Sequence, residues 1–378
     1  MSFLGGTGGT GGTGGTGGTG GTGGTGGTGG TNLTGLGHFI GGSPIDPLTT
    51  SGLMISTQAI MHVAEDPALQ TWAEPLQMKM SDAGNMEGWA GWVRASLYLT
   101  DFLRDMNWSV DTKPSSERIA LLWQGKPFMS LQRPSIELFQ QQLALMRDYM
   151  DQRHERAAEI LSQLGYPIDY FATIMGLNAA RNPYTFELIA ITQVITSHIA
   201  MVAKHHLACR RPDRLGPTVM PMIPTPGHGT FPSAHAAEAF AAATVLDGLL
   251  GVIRPAQHYP APEKLRRLIY KQAERIAINR TVAGMHFPVD TWAGATLGVA
   301  IGQIIVAKGS KGGGMVESRN FVPPSDDFSI AAFKPDLWIE GTEHNDSKSA
   351  SNGTAVHVDC SDLFAWLWGK CVHEFNLK

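Results

Sequence analysis

Three cationic side chains stand where the helical pattern predicts burial. Lys204 closes an apolar run that begins at residue 186, and Arg211 precedes Pro212 at the head of a Pro-rich loop. Arg280 falls four residues after Ile276 on the apolar stripe Leu265, Ile269, Ala273, Ile276. Buried cations are costly unless paired, and no run of Asp or Glu lies beside them in sequence. Any one alone reads as a helix-end charge reaching solvent. The three together require a shared counter-charge, and one bound multivalent anion supplies it. Pro232-Ser233-Ala234-His235 opens an Ala-rich helix, whose first N–H groups and positive dipole end favour an anion. Ser233 is either a hydroxyl donor to that anion or a plain N-cap. His235, at the same helix start, is placed to donate a proton near neutral pH. His286 is followed four residues later by Asp290. A carboxylate accepting one ring N–H leaves the other nitrogen as a lone-pair donor to an electrophile or metal, although such a pair also occurs on helix surfaces.

The elements that must position these groups are helical. Ile136, Phe139, Leu143, Met146 and Met150 recur at helical steps between Pro134 and Gly165-Tyr166-Pro167, which predicts one long amphipathic helix. Helical patterns also cover residues 56–63, 91–106, 184–204 and 263–280, and no β-hairpin stands out. Residues 211–231 carry five prolines and three glycines. Structureless loops of this length are usually functional or disordered, and this one lies between the two most suspicious sites. The expected class is all-α, helical bundles packed around a central oxyanion site. A leader, residues 1–34, precedes one large domain, residues 35–378, with the motifs in 184–308 and a loop-rich extension in 309–378. The leader holds nine Gly-Gly-Thr triplets between residues 5 and 31 and reads as a flexible coil or as a self-associating glycine rod.

Together the spacings are Lys204-x6-Arg211-Pro212, Pro232-Ser233-Ala234-His235 and Arg280-x5-His286-x3-Asp290. This set closely resembles the three-part signature shared by vanadium-dependent haloperoxidases and the type 2 phosphatidic acid phosphatase superfamily. The run 226–231 also resembles bacterial members. The family usually has Gly at position 234 and Ser at position 279, where this chain has Ala and Asn. The resemblance implies that Lys204, Arg211, Arg280, Ser233 and the Ala234 N–H cradle a tetrahedral oxyanion. It makes His286, oriented by Asp290, the ligand to the central atom and His235 the general acid and base. His228 falls where the family tunes halide handling, or is a solvated loop histidine.

Two chemistries fit the resemblance. In the first, vanadate is a resident cofactor on His286, Lys204 polarises bound hydrogen peroxide, and halide is oxidised to a species that halogenates a small organic acceptor. In the second, His286 attacks phosphorus and His235 protonates the leaving alcohol. The soluble-looking helices before the first motif resemble the haloperoxidase layout, so the expected enzyme is a vanadium haloperoxidase, an oxidoreductase. The phosphatase is the alternative, and a non-catalytic anion-binding scaffold stands behind both.

The remaining features limit partners and compartment. Over 378 residues, 29 Lys+Arg against 33 Asp+Glu give a formal charge of −4, without a basic footprint for nucleic acid or anionic lipid. Cys209, Cys360 and Cys371 are too scattered for a disulfide framework or a Cys-rich zinc site. No secretory signal is visible. The apolar runs 186–203, 234–253 and 290–307 are interrupted by Glu187, Gln193, His198, Glu238, Asp247 and Gln303, which reads as core helices without a membrane span. A soluble chain, cytoplasmic rather than exported and forming a homo-oligomer, is therefore expected.

Overall fold

The computed structural model describes residues 47–61, 77–114, 116–253, 261–334 and 350–376. The Gly-Gly-Thr leader lies outside them. The chain divides into two compact units, one ending at Ala95 and the other running from Ser96 to Lys378. The first contains α1 (Pro47–Ile60) and a 3-10 turn, Ala83–Met86, whose N-cap Asp82 accepts from Gly84 N at 2.8 Å. Helix α2 (Gly91–Arg104) begins at its end.

The second unit opens with an antiparallel meander, β1 (Met106–Asp111), β2 (Arg118–Trp123) and β3 (Lys126–Gln132). Ile119, Leu121 and Trp123 alternate inward on β2, and the turn at Gln124-Gly125 places both residues at positive φ. The structure thus adds a hairpin that the helical periodicity did not announce. The expected long helix is also divided, into α3 (Ile136–Asp148), a 3-10 turn and α4 (Arg153–Ser162). The break lets Arg153 donate to the carbonyls of Val282, Met220 and Val219 at 2.8, 2.7 and 2.9 Å. Ile160 then packs with Ile223, Val282, Ala283 and Met285. Helix α5 (Ile168–Met175) follows.

Four helices form the core, in keeping with the all-α class: α6 (Pro183–Leu207), α7 (Ala234–Val252), α8 (Pro262–Val282) and α9 (Pro288–Gly309). α7 lies between α6, α8 and α9. Its alanines face Gly294, Gly298 and Gly302 on α9, one every helical turn. A Cβ on Gly294 would collide with Ser233 O, and one on Gly298 with Ala237 O. Glycine is therefore what lets the two helix N-termini meet, and Ser233 N donates to Asp290 O at 2.9 Å.

Among the described residues, the extension after Gly309 carries short strands and two helices. β4 (Gly314–Val316) pairs with β7 (Val356–Val358), and β5 (Arg319–Phe321) joins β3 in parallel and β6 (Ala350–Asn352) antiparallel. A short turn, α10 (Ile330–Phe333), and α11 (Asp362–Asn376) complete it. Glu374 on α11 accepts from Tyr184 N, Thr185 N and Thr185 Oγ1 at 2.6, 3.1 and 2.6 Å, capping α6 with a carboxylate.

The expectation of a soluble, cytoplasmic chain without a membrane span is overturned. Pro183–Arg214, Ala234–Val252 and Pro288–Gly309 are each long and apolar enough to cross a membrane. The interruptions carried too much weight, because Gln193 and Glu238 are buried among the helices. Polar side chains of spanning helices characteristically face a bundle interior in this way.

Candidate functional site

Each signature residue sits at the end of a core helix or in the link after it. Lys204 lies in the last turn of α6, where Nζ donates to Gly229 O at 3.0 Å and Thr230 O at 2.7 Å. Arg211 precedes a 3-10 turn, Pro212–Arg214. Ser233 N-caps α7, its Oγ accepting from Ala236 N at 3.3 Å, so its own O–H stays available to a ligand. Ala234 is the first helical residue and is not at positive φ, so the missing glycine costs no strain and the N–H remains an orphan donor. Arg280 lies in the last turn of α8. Gly284, at φ +81°, turns the link that carries His286 to Asp290 in the first turn of α9.

The structure brings these residues together inside the protein. Lys204, Arg211, Ser233, Ala234, His235, Arg280, His286 and Asp290 are each at most 4% exposed. His286 lies in the field of Arg211, Lys204, His235 and His228. His235 lies in that of Arg280, Lys204 and Arg211. Helix-end charges snorkelling to solvent are thereby excluded.

The hydrogen bonds fix the protonation pattern. Arg211 Nη1 lies 3.0 Å from His286 Nε2 and 2.9 Å from Met285 O. A guanidinium only donates, so Nε2 presents its lone pair and Nδ1 carries the proton. Nδ1 donates to Asp290 Oδ2 at 3.1 Å. That oxygen also accepts from Phe287 N at 2.9 Å and from Thr230 Oγ1. Burial first, then Arg211 and Lys204, hold the His286 pKa well below its ordinary value, so the ring is neutral at neutral pH. Arg211 Nη2 lies 3.1 Å from His228 Nδ1, which also lies 3.2 Å from Gly229 O. Burial and the two cations bring His228 down to about 4.

The other side of the cradle is held by α4. Arg280 Nη2 donates to Ile160 O at 3.0 Å and Gln163 Oε1 at 3.4 Å. His235 Nε2 donates to Gln163 O at 3.1 Å. Asn279, at the position where the resembled family usually has Ser, donates to Glu159 Oε2 at 3.0 Å and Gln163 Oε1 at 2.9 Å, tying α8 to α4. Burial lowers Arg280 to about 10, still a cation at neutral pH.

Three residues were not singled out from sequence. Thr230 lies in the quoted run 226–231 and was visible there as a hydroxyl beside the second motif. Glu238, buried and in the field of Lys204 and Arg280, was seen only as an interruption of an apolar run. Gln163 left no signal, being a neutral residue at a helix end.

The donor set suits an oxyanion. Among the described residues no three His, Cys, Asp or Glu side chains form a group able to hold a metal ion. Instead three cations, a helix N-terminus and one imidazole lone pair converge. Arg280 Nε is a buried donor without a hydrogen-bond acceptor, as a group awaiting anionic oxygens would be. Cavities of about 490 and 320 Å3 lie elsewhere, lined by Asp247, Arg266 and Tyr270 and by Arg133 and Cys209, and neither is lined by a cradle residue.

Residues 185–311 match the family described as the PAP2 superfamily. Two curated proteins from Mycobacterium tuberculosis, strains CDC 1551 / Oshkosh and ATCC 25618 / H37Rv, are each 30% identical to this chain over 133 residues. Both are named decaprenylphosphoryl-5-phosphoribose phosphatase. The match covers 35% of this chain and 64% of each relative. Among solved structures, a transmembrane PAP2 type phosphatidylglycerolphosphate phosphatase from Bacillus subtilis matches with TM-score 0.35 and 21% identity, over 46% of this chain and 85% of that one. The haloperoxidase expectation is corrected here. The curated relatives are phosphatases, hydrolases rather than oxidoreductases or peroxidases. Hydrogen peroxide, halide and an organic acceptor go with it.

Proposed function

We propose, from the match of residues 185–311 to the PAP2 superfamily, that the protein is a phosphatase working through a phosphohistidine. His286 Nε2 attacks phosphorus as the P–O bond to the leaving group breaks, and His235 gives that oxygen a proton. Water then attacks the phosphohistidine, His235 takes its proton, and the P–N bond breaks to release inorganic phosphate. Arg211 turns from Nε2 onto a phosphoryl oxygen. Lys204, Arg280, Ser233 and the Ala234 N–H take the others, strengthening as negative charge builds in the transition state. Asp290 keeps the proton on Nδ1 and steadies the positive charge that forms on the ring.

The observation that carries this reading is the fixed tautomer of His286, with Nδ1–H on Asp290 and the Nε2 lone pair turned to a guanidinium. The substrate class we propose is a phosphomonoester on a lipid-linked group. Two findings support it: the name of the curated relatives and three helices able to cross a membrane. Vanadate, expected above as a cofactor, fits the same donors as a phosphate mimic, and we assign it the part of a competitive inhibitor.

Rapid quench of the full chain with a phosphorus-labelled aryl phosphate tests the mechanism. The expected result is label on the protein, stable in base, lost in acid and absent from His286→Ala. Labelling of His286→Ala at the wild-type level would overturn the assignment.

A further inference from the structure

Gln163 is fully buried where α4 ends, and it touches both halves of the acid side of the cradle. Its backbone carbonyl accepts from His235 Nε2 at 3.1 Å, and its Oε1 accepts from Asn279 Nδ2 and Arg280 Nη2 at 2.9 and 3.4 Å. Two guanidiniums fix the amide orientations. Arg156 Nη1 donates to Asn279 Oδ1 at 3.2 Å, so Asn279 offers its nitrogen to Gln163, and Arg280 likewise demands an oxygen. The Gln163 nitrogen must therefore lie on the remaining side of the amide. That Nε2 is buried without a hydrogen-bond partner. An unsatisfied buried donor costs about 1–3 kcal/mol, which is retained where a ligand uses it.

We propose that the Gln163 side-chain amide belongs to the phosphate-binding set, its Nε2–H donating to a phosphoryl oxygen while its Oε1 holds Arg280. The inference rests on the phosphatase reading only through the oxyanion site. A neutral donor completes three cations without adding charge, and its anchors are rigid. Glu159, one turn earlier, is paired with Arg275 at 2.8 Å, and Ile160 is locked in the core. Gln163 lies outside all three sequence motifs, so the set of phosphate ligands extends to a helix some forty residues before the first of them.

Binding of inorganic phosphate and of orthovanadate to the full chain, followed by calorimetry at neutral pH, tests this with two variants. Gln163→Met keeps the volume and loses both polar atoms. Gln163→Glu keeps the acceptor for Arg280 and Asn279 but turns an anionic oxygen towards the ligand. A donor role predicts affinity in the order Gln, Met, Glu, with losses of about tenfold and about a hundredfold. A purely structural role predicts the reverse order of the variants, because only Glu retains the bonds to Arg280 and Asn279. Wild-type affinity in Gln163→Glu, or Met weaker than Glu, would overturn the proposal while leaving the phosphatase reading intact. No phosphate or vanadate binding by the wild type would overturn both. Thermal midpoints of the variants confirm that folded protein is compared; should Gln163→Glu fail to fold, wild-type affinity in Gln163→Met alone overturns the proposal.

Discussion

The two sides of the cradle are built differently. On the nucleophile side, Arg211, His228, Thr230, His286 and Asp290 hydrogen-bond to one another, and every partner lies within residues 204–290. On the acid side, Arg280 and His235 lean on oxygens supplied from outside that block, those of Ile160 and Gln163. In the proposed mechanism, the side assigned to phosphorus thus carries its own orientation within the motifs. In that mechanism, the side assigned to the leaving group takes its wall from α4.

If that division is right, removing the acid should show the largest dependence on the ester. His235→Ala should lose about a thousandfold in kcat on an alkyl phosphate, within the usual range for a general acid. On an aryl phosphate, whose leaving group needs no proton, the burst of alcohol release should survive while phosphoenzyme accumulates. Equal losses of the burst on both esters would place His235 among the phosphate ligands instead, and would erase the contrast between the sides.

A neutral probe of the nucleophile side should be milder. Thr230→Val keeps shape and removes the hydroxyl that donates to Asp290, leaving Asp290 Oδ2 with His286 Nδ1 and Phe287 N. One such bond is worth about 1–1.5 kcal/mol, so kcat on an aryl phosphate should fall about tenfold with KM unchanged. A rise in KM at constant kcat would move Thr230 from orienting the nucleophile to binding the phosphate.

The same division explains what the sequence discloses. Lys204, Arg211 and Arg280 announce themselves as three cations in segments patterned for burial with no acidic run beside them, whereas a single buried cation such as Lys308 is met by Asp101 and Asp105. His286 and Asp290 are one helical turn apart, so their partnership is local. Gln163 is neutral, its partners lie more than 70 residues away, and nothing in its neighbourhood contradicts a plain helix end. The meander was readable in principle, from Ile119, Leu121 and Trp123 alternating before Gln124-Gly125, but its three short strands lie among longer helical periods. The β3–β5 pairing joins Met129 to Arg319 and has no local trace. The reaction itself was the least legible feature, since one constellation of charges binds phosphate and vanadate alike. The relatives separate the phosphatase from the oxidoreductase, and three helices long and apolar enough to cross a membrane overturn the soluble chain.

The smallest effect belongs to the brace behind the acid side. Glu159 accepts from Arg275 Nε and Nη2 at 2.9 and 2.8 Å and from Asn279 at 3.0 Å. The Arg275 hydrogen bonds hold its carboxyl down at about 2, against an ordinary value near 4.5. A depressed acid contributes stability that is complete above the unfolded value and disappears as pH falls through the folded one. The advantage of wild type over Glu159→Gln should therefore be full at pH 7, decline below about 4.5 and vanish near pH 2. Partial exposure of both partners limits it to about 0.5–1 kcal/mol, a degree or two in thermal midpoint for a unit of this size. Because the brace touches Asn279 and not His286, phosphoenzyme formation should change by less than about threefold, as for a lost surface pair. A midpoint difference that stays constant from pH 7 to pH 2 would mean that α4 is held by the packing of Ile160 and not by the Glu159 carboxylate. The wall carrying Gln163 would then be set by the core of the second unit, and the acid side would be as self-sufficient as the nucleophile side.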